Sequence, residues 1–217
     1  MSETVYLRRP PDWEEHEKPA LPGSPAMLSH APWERVCYAL VAILVGLTGG
    51  LGNALFSVNL PTIQGQMGMT PSEAAWLTGA YVTFSVTANL LVYKFRQQYG
   101  MRLFTEISLG LYALLCVLHL VLGSAQSLLW LRGASGLAAA ACTSLATLYM
   151  LQAMPRVHVL KMLVLGVGIS QLATPLAWLL SPSLLDHGQW HNLYWFEAGL
   201  ALMSFAAVVL LKLPAGV

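Results

Sequence analysis

Hydrophobic positions in this chain fall into six long blocks: residues 36–60, 74–93, 103–122, 128–151, 162–180 and 193–211. Each runs for about 19 to 25 residues, the length a helix needs to cross ~30 Å of hydrocarbon. The period-two alternation of a membrane barrel is absent from them. The pattern predicts an all-α membrane protein, a six-transmembrane-helix bundle. Turn-forming residues agree with these limits: Pro61 is expected to end span 1, Pro71 to open the approach to span 2 and Gly100 to separate spans 2 and 3. Pro155 and Pro182 are expected to mark the exits of spans 4 and 5.

Composition supports this reading. Of 217 residues, 56% are hydrophobic and 10% charged, against roughly a quarter charged in a soluble domain. The net charge of +1 argues against a nucleic-acid partner. Residues 1–33 differ from the rest, with Pro10, Pro11, Pro19, Pro22, Pro25 and Pro32 interleaved with acids. They read as a disordered cytoplasmic tail ahead of a membrane domain over residues 34–213. No apolar segment follows their charges as it would in a signal peptide. The prolines and acids after Arg8 and Arg9 argue against a twin-arginine export signal.

The placement of charge orients the bundle. Arg8, Arg9, Lys18 and Arg35 precede span 1; Lys94, Arg96 and Arg102 lie between spans 2 and 3. Arg156 and Lys161 lie between spans 4 and 5, and Lys212 follows span 6. All ten therefore fall on one side, which the positive-inside rule makes cytoplasmic, with both termini there. The eleventh, Arg132, lies about one turn inside span 4 as drawn, where an arginine must snorkel, pair or face water. Glu73, Asp186 and Glu197 are its candidate partners.

Polar and small residues recur at helical spacing within four spans. They are Gly49, Asn53, Ser57 and Leu60 in span 1, and Thr78, Tyr81, Ser85 and Asn89 in span 2. Span 4 carries Arg132, Gly136, Ala139, Thr143 and Thr147; span 5 carries Ser170, Thr174 and Trp178, with Gln171 alongside. Such stripes serve close helix packing or line a wet cavity. The glycine-rich segment "GLTGGLGN" in span 1 fits close approach or bending. "TPSE" ahead of span 2 fits a helix cap with Thr70 or Ser72 at the cap and Glu73 in the first turn. Glu106, four residues after Arg102, fits an interfacial ion pair. His119 fits a hydrogen-bonded packing residue, with a proton relay as the alternative. Cys37, Cys116 and Cys142 lie inside apolar blocks without metal or disulfide spacing and read as small hydrophobes. Phosphate-binding, dinucleotide, zinc-protease and serine-hydrolase motifs are absent, so no enzyme, metal or cofactor is expected.

Three segments resemble the amino-terminal half of a major facilitator superfamily transporter, in particular the 14-span drug:proton antiporter branch. "ALFSVNLPTI" (residues 54–63) resembles that branch's span-1 signature T-I-V-N-V-A-L-P-x-I, and Trp76 and Tyr81 follow where the branch has a Trp and a Tyr. "YKFRQQYGMRLF" (residues 93–104) stands at the superfamily's span 2–3 loop motif, G-x-L-a-D-R-x-G-R-K. Gly100 and Arg102 match it; Tyr93 replaces the first glycine and Gln97 the aspartate. "LRGASG" resembles the span-4 motif R-x-x-Q-G through Arg132 and Gly136, with Ser135 for the glutamine. Pro175 is a weaker echo of the span-5 antiporter motif, and residues 189–199 of the aromatic entry to span 6. In span 1 the branch carries an aspartate just ahead of its signature; here Leu51, Gly52 and Asn53 fill that place. A neutral Asn53 cannot load and release a proton.

The resemblance implies one half of a major facilitator fold in a cell (inner) membrane, exporting a small molecule or drug by alternating access, with proton coupling open. The expected partners are the lipid bilayer, a small-molecule substrate, and a second six-span half or a second copy of the chain. The expected form is an amino-terminal half, whether fragment, truncated gene or one half of a split transporter; the alternative is a non-transporting membrane scaffold. The stripes and the resemblance together predict a groove enclosed by spans 1, 2, 4 and 5, with spans 3 and 6 peripheral. The candidate pathway residues are Asn53, Ser57, Tyr81, Ser85, Asn89, Arg132, Gln171 and Thr174, and the candidate gating-loop residues are Gln97, Gly100 and Arg102.

Overall fold

The computed structural model describes residues 32–153, 158–186 and 189–211. Residues 1–31 of the tail, Pro155, Arg156 and Lys212, to which the sequence assigns roles above, lie outside the described residues, whereas Pro32 and Trp33, assigned to the tail, open the first helix. Among the described residues all regular structure is helical: α1 (Pro32–Val58), α2 (Leu60–Met67), α3 (Pro71–Tyr99), α4 (Met101–Val121), α5 (Ala125–Ala153), α6 (Val159–Leu184) and α7 (His191–Leu210). Six are long and apolar enough to cross a membrane. They are the six expected spans; α2 is the short addition.

Helix boundaries correct the sequence in three places. Pro61 does not terminate span 1. The break comes earlier, at Asn59, whose Nδ2 donates to the Leu55 carbonyl and to Ser181 Oγ, both at 2.8 Å. A new helix, α2, then starts with Pro61 in its first turn, where the missing N–H costs nothing. Nor does Pro182 mark the exit of span 5: α6 passes through both Pro175 and Pro182 to Leu184. Each proline removes one i→i−4 hydrogen bond, yet the Leu185 N–H still reaches the Ser181 carbonyl at 3.0 Å, so the helix closes its last turn beyond Pro182. Finally, the connector around Gln97 is not a loop. α3 continues to Tyr99 and α4 starts at Met101, so the hinge is Gly100 alone, at φ 79° where a side chain would be strained.

Two local expectations hold. Thr70 Oγ1 accepts from the Glu73 backbone N–H at 3.3 Å while Glu73 Oε2 accepts from the Thr70 N–H at 2.8 Å. That reciprocal pair is a capping box with Thr70 at the cap. Arg102 Nε donates to Glu106 Oε1 at 2.8 Å.

α1 and α5 form the centre of the bundle. α5 packs on α1 and α3, α1 on α6, and α4 and α7 pack on each other against the opposite side. Glycines permit the closest approaches. A Cβ on Gly49 would stand 2.8 Å from the Ala139 carbonyl oxygen, and one on Gly52 would collide with the Tyr112 hydroxyl. The segment "GLTGGLGN" is therefore a contact surface facing α4, α5 and α6 at once. Coverage is uneven: 61% of the apolar window of α1 and of α5 is buried, against 22% for α3 and 17% for α6. These two helices leave large apolar side chains such as Leu90, Leu172 and Leu179 uncovered.

Gly52→Ala is expected to lower stability by about 1–3 kcal/mol through overpacking against Tyr112. Gly110→Ala, whose new methyl meets open space, should not lower it and should raise it by up to about 1 kcal/mol through alanine's better helix propensity. Thermal unfolding in one detergent compares the two; equal effects would remove the close contact from the account.

Candidate functional site

The polar stripes of four helices converge on a groove of about 320 Å³, the lower end of the range for small-molecule sites. α1 contributes Gly49, Asn53 and Ser57, and α3 contributes Tyr81, Ser85 and Asn89. α5 adds Ala139 and Thr143, and α6 adds Ser170, Gln171 and Thr174. The groove is open on one side: Ser57, Asn89, Gln171 and Thr174 are exposed. α4 and α7 contribute no lining residue. Thr78, Thr147 and Trp178, which share the stripes by spacing, fall outside the lining.

Close packing and polar lining are both present in the stripes. Gly136 faces the Tyr81 carbonyl too closely to admit a side chain. Its own carbonyl accepts from Ser85 Oγ at 2.9 Å, which joins α3 to α5. Farther along the same interface, Ser144 Oγ donates to Asn89 Oδ1 at 2.6 Å. Such bonds join the two helices at the groove wall.

Arg132 sits deeper than the sequence placed it. It is about two turns inside α5, roughly 10 Å from the helix start, and 2% exposed. It adjoins the groove without lining it. Glu73, Asp186 and Glu197 are not its ion-pair partners; among the described residues no carboxylate lies within bonding distance. Instead its Nη2 donates to Asn53 Oδ1 at 3.0 Å. Its guanidinium carbon stands 3.8 Å from the centre of the Phe56 ring and 4.4 Å from that of Tyr81. The charge is thus held by one amide oxygen and two ring faces, the second interaction being worth about 2 kcal/mol when desolvated. Its Nε has no partner. Phe56 is the residue that sequence reasoning missed in this cradle. Its position three residues after Asn53, on the same helix face, was the available signal.

The other sequence candidates divide. Asn53, Ser57, Tyr81, Ser85, Asn89, Gln171 and Thr174 are brought together. Gln97 lies in the last turn of α3, about two turns beyond Asn89, and its side chain lies outside the described residues. Gly100 and Arg102 form the hinge and an interfacial ion pair.

A second polar cluster was not foreseen. Glu197 on α7, 3% exposed, accepts from the Tyr112 hydroxyl of α4 at 3.0 Å and lies 3.8 Å from Cys116 Sγ. His119 follows one turn on, its Nδ1 2.7 Å from the Leu115 carbonyl and its ring stacked on Tyr194. His119 is therefore a packed, hydrogen-bonded residue, and Cys116 is more than an inert hydrophobe.

Asn53→Leu should lower stability by about 1.5–3 kcal/mol, because the buried Arg132 loses a charge-assisted hydrogen bond. Ser57→Ala, which removes a long 3.4 Å bond to Asn53, should cost under about 0.5 kcal/mol. Unfolding in mixed micelles checks the difference; equal losses would show that Arg132 does not depend on Asn53.

Comparison with known proteins agrees with this architecture. No curated protein matches the chain. The sequence pattern describing the Major Facilitator Superfamily matches residues 42–216, which takes in all six spans from the glycine-rich segment of α1 onward. The chain belongs to the major facilitator superfamily.

Proposed function

We propose that this bundle supplies one wall of a small-molecule transport pathway of the efflux type, working by alternating access. The observation that carries the reading is the open groove whose polar lining comes from four spans and from no other. In hydrocarbon, exposed polar groups such as Gln171 and Thr174 have no partners. The groove therefore needs water, substrate or a second set of helices over it. The poor coverage of α3 and α6, the two helices at its margins, fits a second six-span bundle or a second copy of the chain. Alternating access rocks one bundle against another around a site near the midplane.

Substrate class follows from the lining. Tyr81 offers a buried aromatic edge, Phe84 and Trp178 are exposed rings on α3 and α6 outside the lining, and Asn53, Asn89 and Gln171 offer amides without fixed charge. That combination suits an amphipathic aromatic compound. The positive side, with Lys94 and Arg102, is proposed to face the cytoplasm of a cell whose inner membrane holds the protein. A reporter fused after residue 98 should accordingly read inside; an outside reading reverses the orientation.

The test is flux of an aromatic dye into vesicles reconstituted with this polypeptide, with its oligomeric state measured in the same detergent. Flux is expected only when two bundles associate. Robust flux by a demonstrated monomer would overturn the two-bundle reading. Paired bundles without flux of any amphipathic probe would favour a scaffold that only packs against other membrane proteins.

A further inference from the structure

We propose that Glu197 is a proton-binding site of the bundle, linked to the groove through Arg132 and Asn53. The coupling role of that site rests on the transport reading above; its existence does not.

The first argument is placement. Glu197 lies on α7 against α4, away from the groove lining, and is shielded from lipid. A buried carboxyl group is tolerated when it is neutral or when a cation and donors satisfy it. The structure supplies the makings of both states. Tyr112 donates one hydrogen bond at 3.0 Å, and Cys116 offers a weak one at 3.8 Å. Arg132 acts on Glu197 electrostatically without bonding to it, its Nη2 being held by Asn53.

The second argument is the set of polar groups nearby. His119 Nε2 is a buried polar atom without a hydrogen-bond partner, and the Tyr194 hydroxyl stands beside the Arg132 guanidinium. Buried polar atoms are satisfied in the great majority of cases. An unpartnered imidazole nitrogen and a tyrosine–arginine contact close to one buried acid are what a site that exchanges a proton would leave in its resting arrangement. Tyr112, Cys116 and His119 recur at helical spacing on α4, opposite Tyr194 and Glu197 on α7. They place three exchangeable groups along α4 between the level of the acid and the end of the helix at Val121.

All titratable and charged neighbours belong to this arrangement. α4 brings Tyr112, Cys116 and His119; α5 brings Arg132; α3 brings Tyr81; and α7 itself brings Tyr194. On α1, Gly52 leaves room for the Tyr112 hydroxyl beside the acid. α6, which touches α7 slightly, carries its ionisable residue Lys161 in its first turn.

The step is a proton transfer. The O–H bond of the neutral carboxyl breaks, the proton passes to a water molecule and the oxygen keeps the electron pair. The new carboxylate attracts Arg132, which competes with the bond to Asn53 in the groove wall. Uptake reverses this and returns Arg132 to Asn53. The proton state of α7 is thereby felt at Asn53, on the far side of α5.

Infrared difference spectroscopy of the full chain in lipid nanodiscs tests this without a substrate. Raising the pH should remove a neutral-carboxyl band and create a carboxylate band. Glu197→Gln should abolish the pair, whereas Glu106→Gln, at the surface ion pair, should leave it. Tyr112→Phe, a milder change, should shift the midpoint by removing the donor. Absence of the band in the wild-type chain overturns the proposal, as does its persistence in Glu197→Gln. If Glu197→Gln does not fold, an unmoved midpoint in Tyr112→Phe overturns it instead. A titrating band in protein that shows no flux would leave the proton site standing while the transport reading fails.

Discussion

A guanidinium held in a dry helical bundle without a bonded counter-charge is the constraint on which the other contacts depend. Placing an arginine at the centre of a membrane helix costs about 3 kcal/mol on insertion scales. Arg132 offsets this with an amide oxygen at 3.0 Å and two aromatic faces. Those partners come from α1 and α3, so the helices must meet α5 at one level and close together. Gly49 and Gly136 permit that approach, each lying where a side chain would strike backbone. Small residues, the charge and its cradle thus form one device.

The same device divides the bundle into two environments. On one side of α1 and α5 lies the open groove, with its amides and hydroxyls. On the other, α4 and α7 enclose Glu197, Tyr112 and His119. Arg132 stands between the two, bonded to the first and within electrostatic range of the second. A lone side chain with partners on both sides of a packed layer can transmit a change of charge without any helix having to unfold.

Much of this was legible in the chain. Six apolar blocks set the spans, because a run of that length has few other fates. Spacing alone put Asn53, Tyr81, Ser85 and Thr174 on the faces that now line the groove, since helical geometry fixes which residues share a side. Thr70 with Glu73, and Arg102 with Glu106, were readable because their partners lie within one turn. What depends on contact between distant segments was not readable. Nothing local distinguishes Glu197 as a partner of Tyr112 rather than of Arg132, or marks Phe56 as a platform for a guanidinium. The roles given to Pro61 and Pro182 failed because a proline's effect depends on whether it falls at a helix start, middle or end, and the sequence misplaced those ends. The chemistry of the groove residues remains a proposal, as does the tail.

The account's central claim is that one face of the bundle is wet and the opposite face is not. Single cysteines at Asn53, Ser85 and Thr174, and at the lipid-facing positions Leu111 and Leu202 on α4 and α7, can be tested with a water-soluble thiol reagent in native membranes, on a background in which Cys37, Cys116 and Cys142 are replaced. The account predicts rapid labelling at the first three and none at the last two. Labelling of Leu111 and Leu202 with silence at Asn53, Ser85 and Thr174 would contradict it.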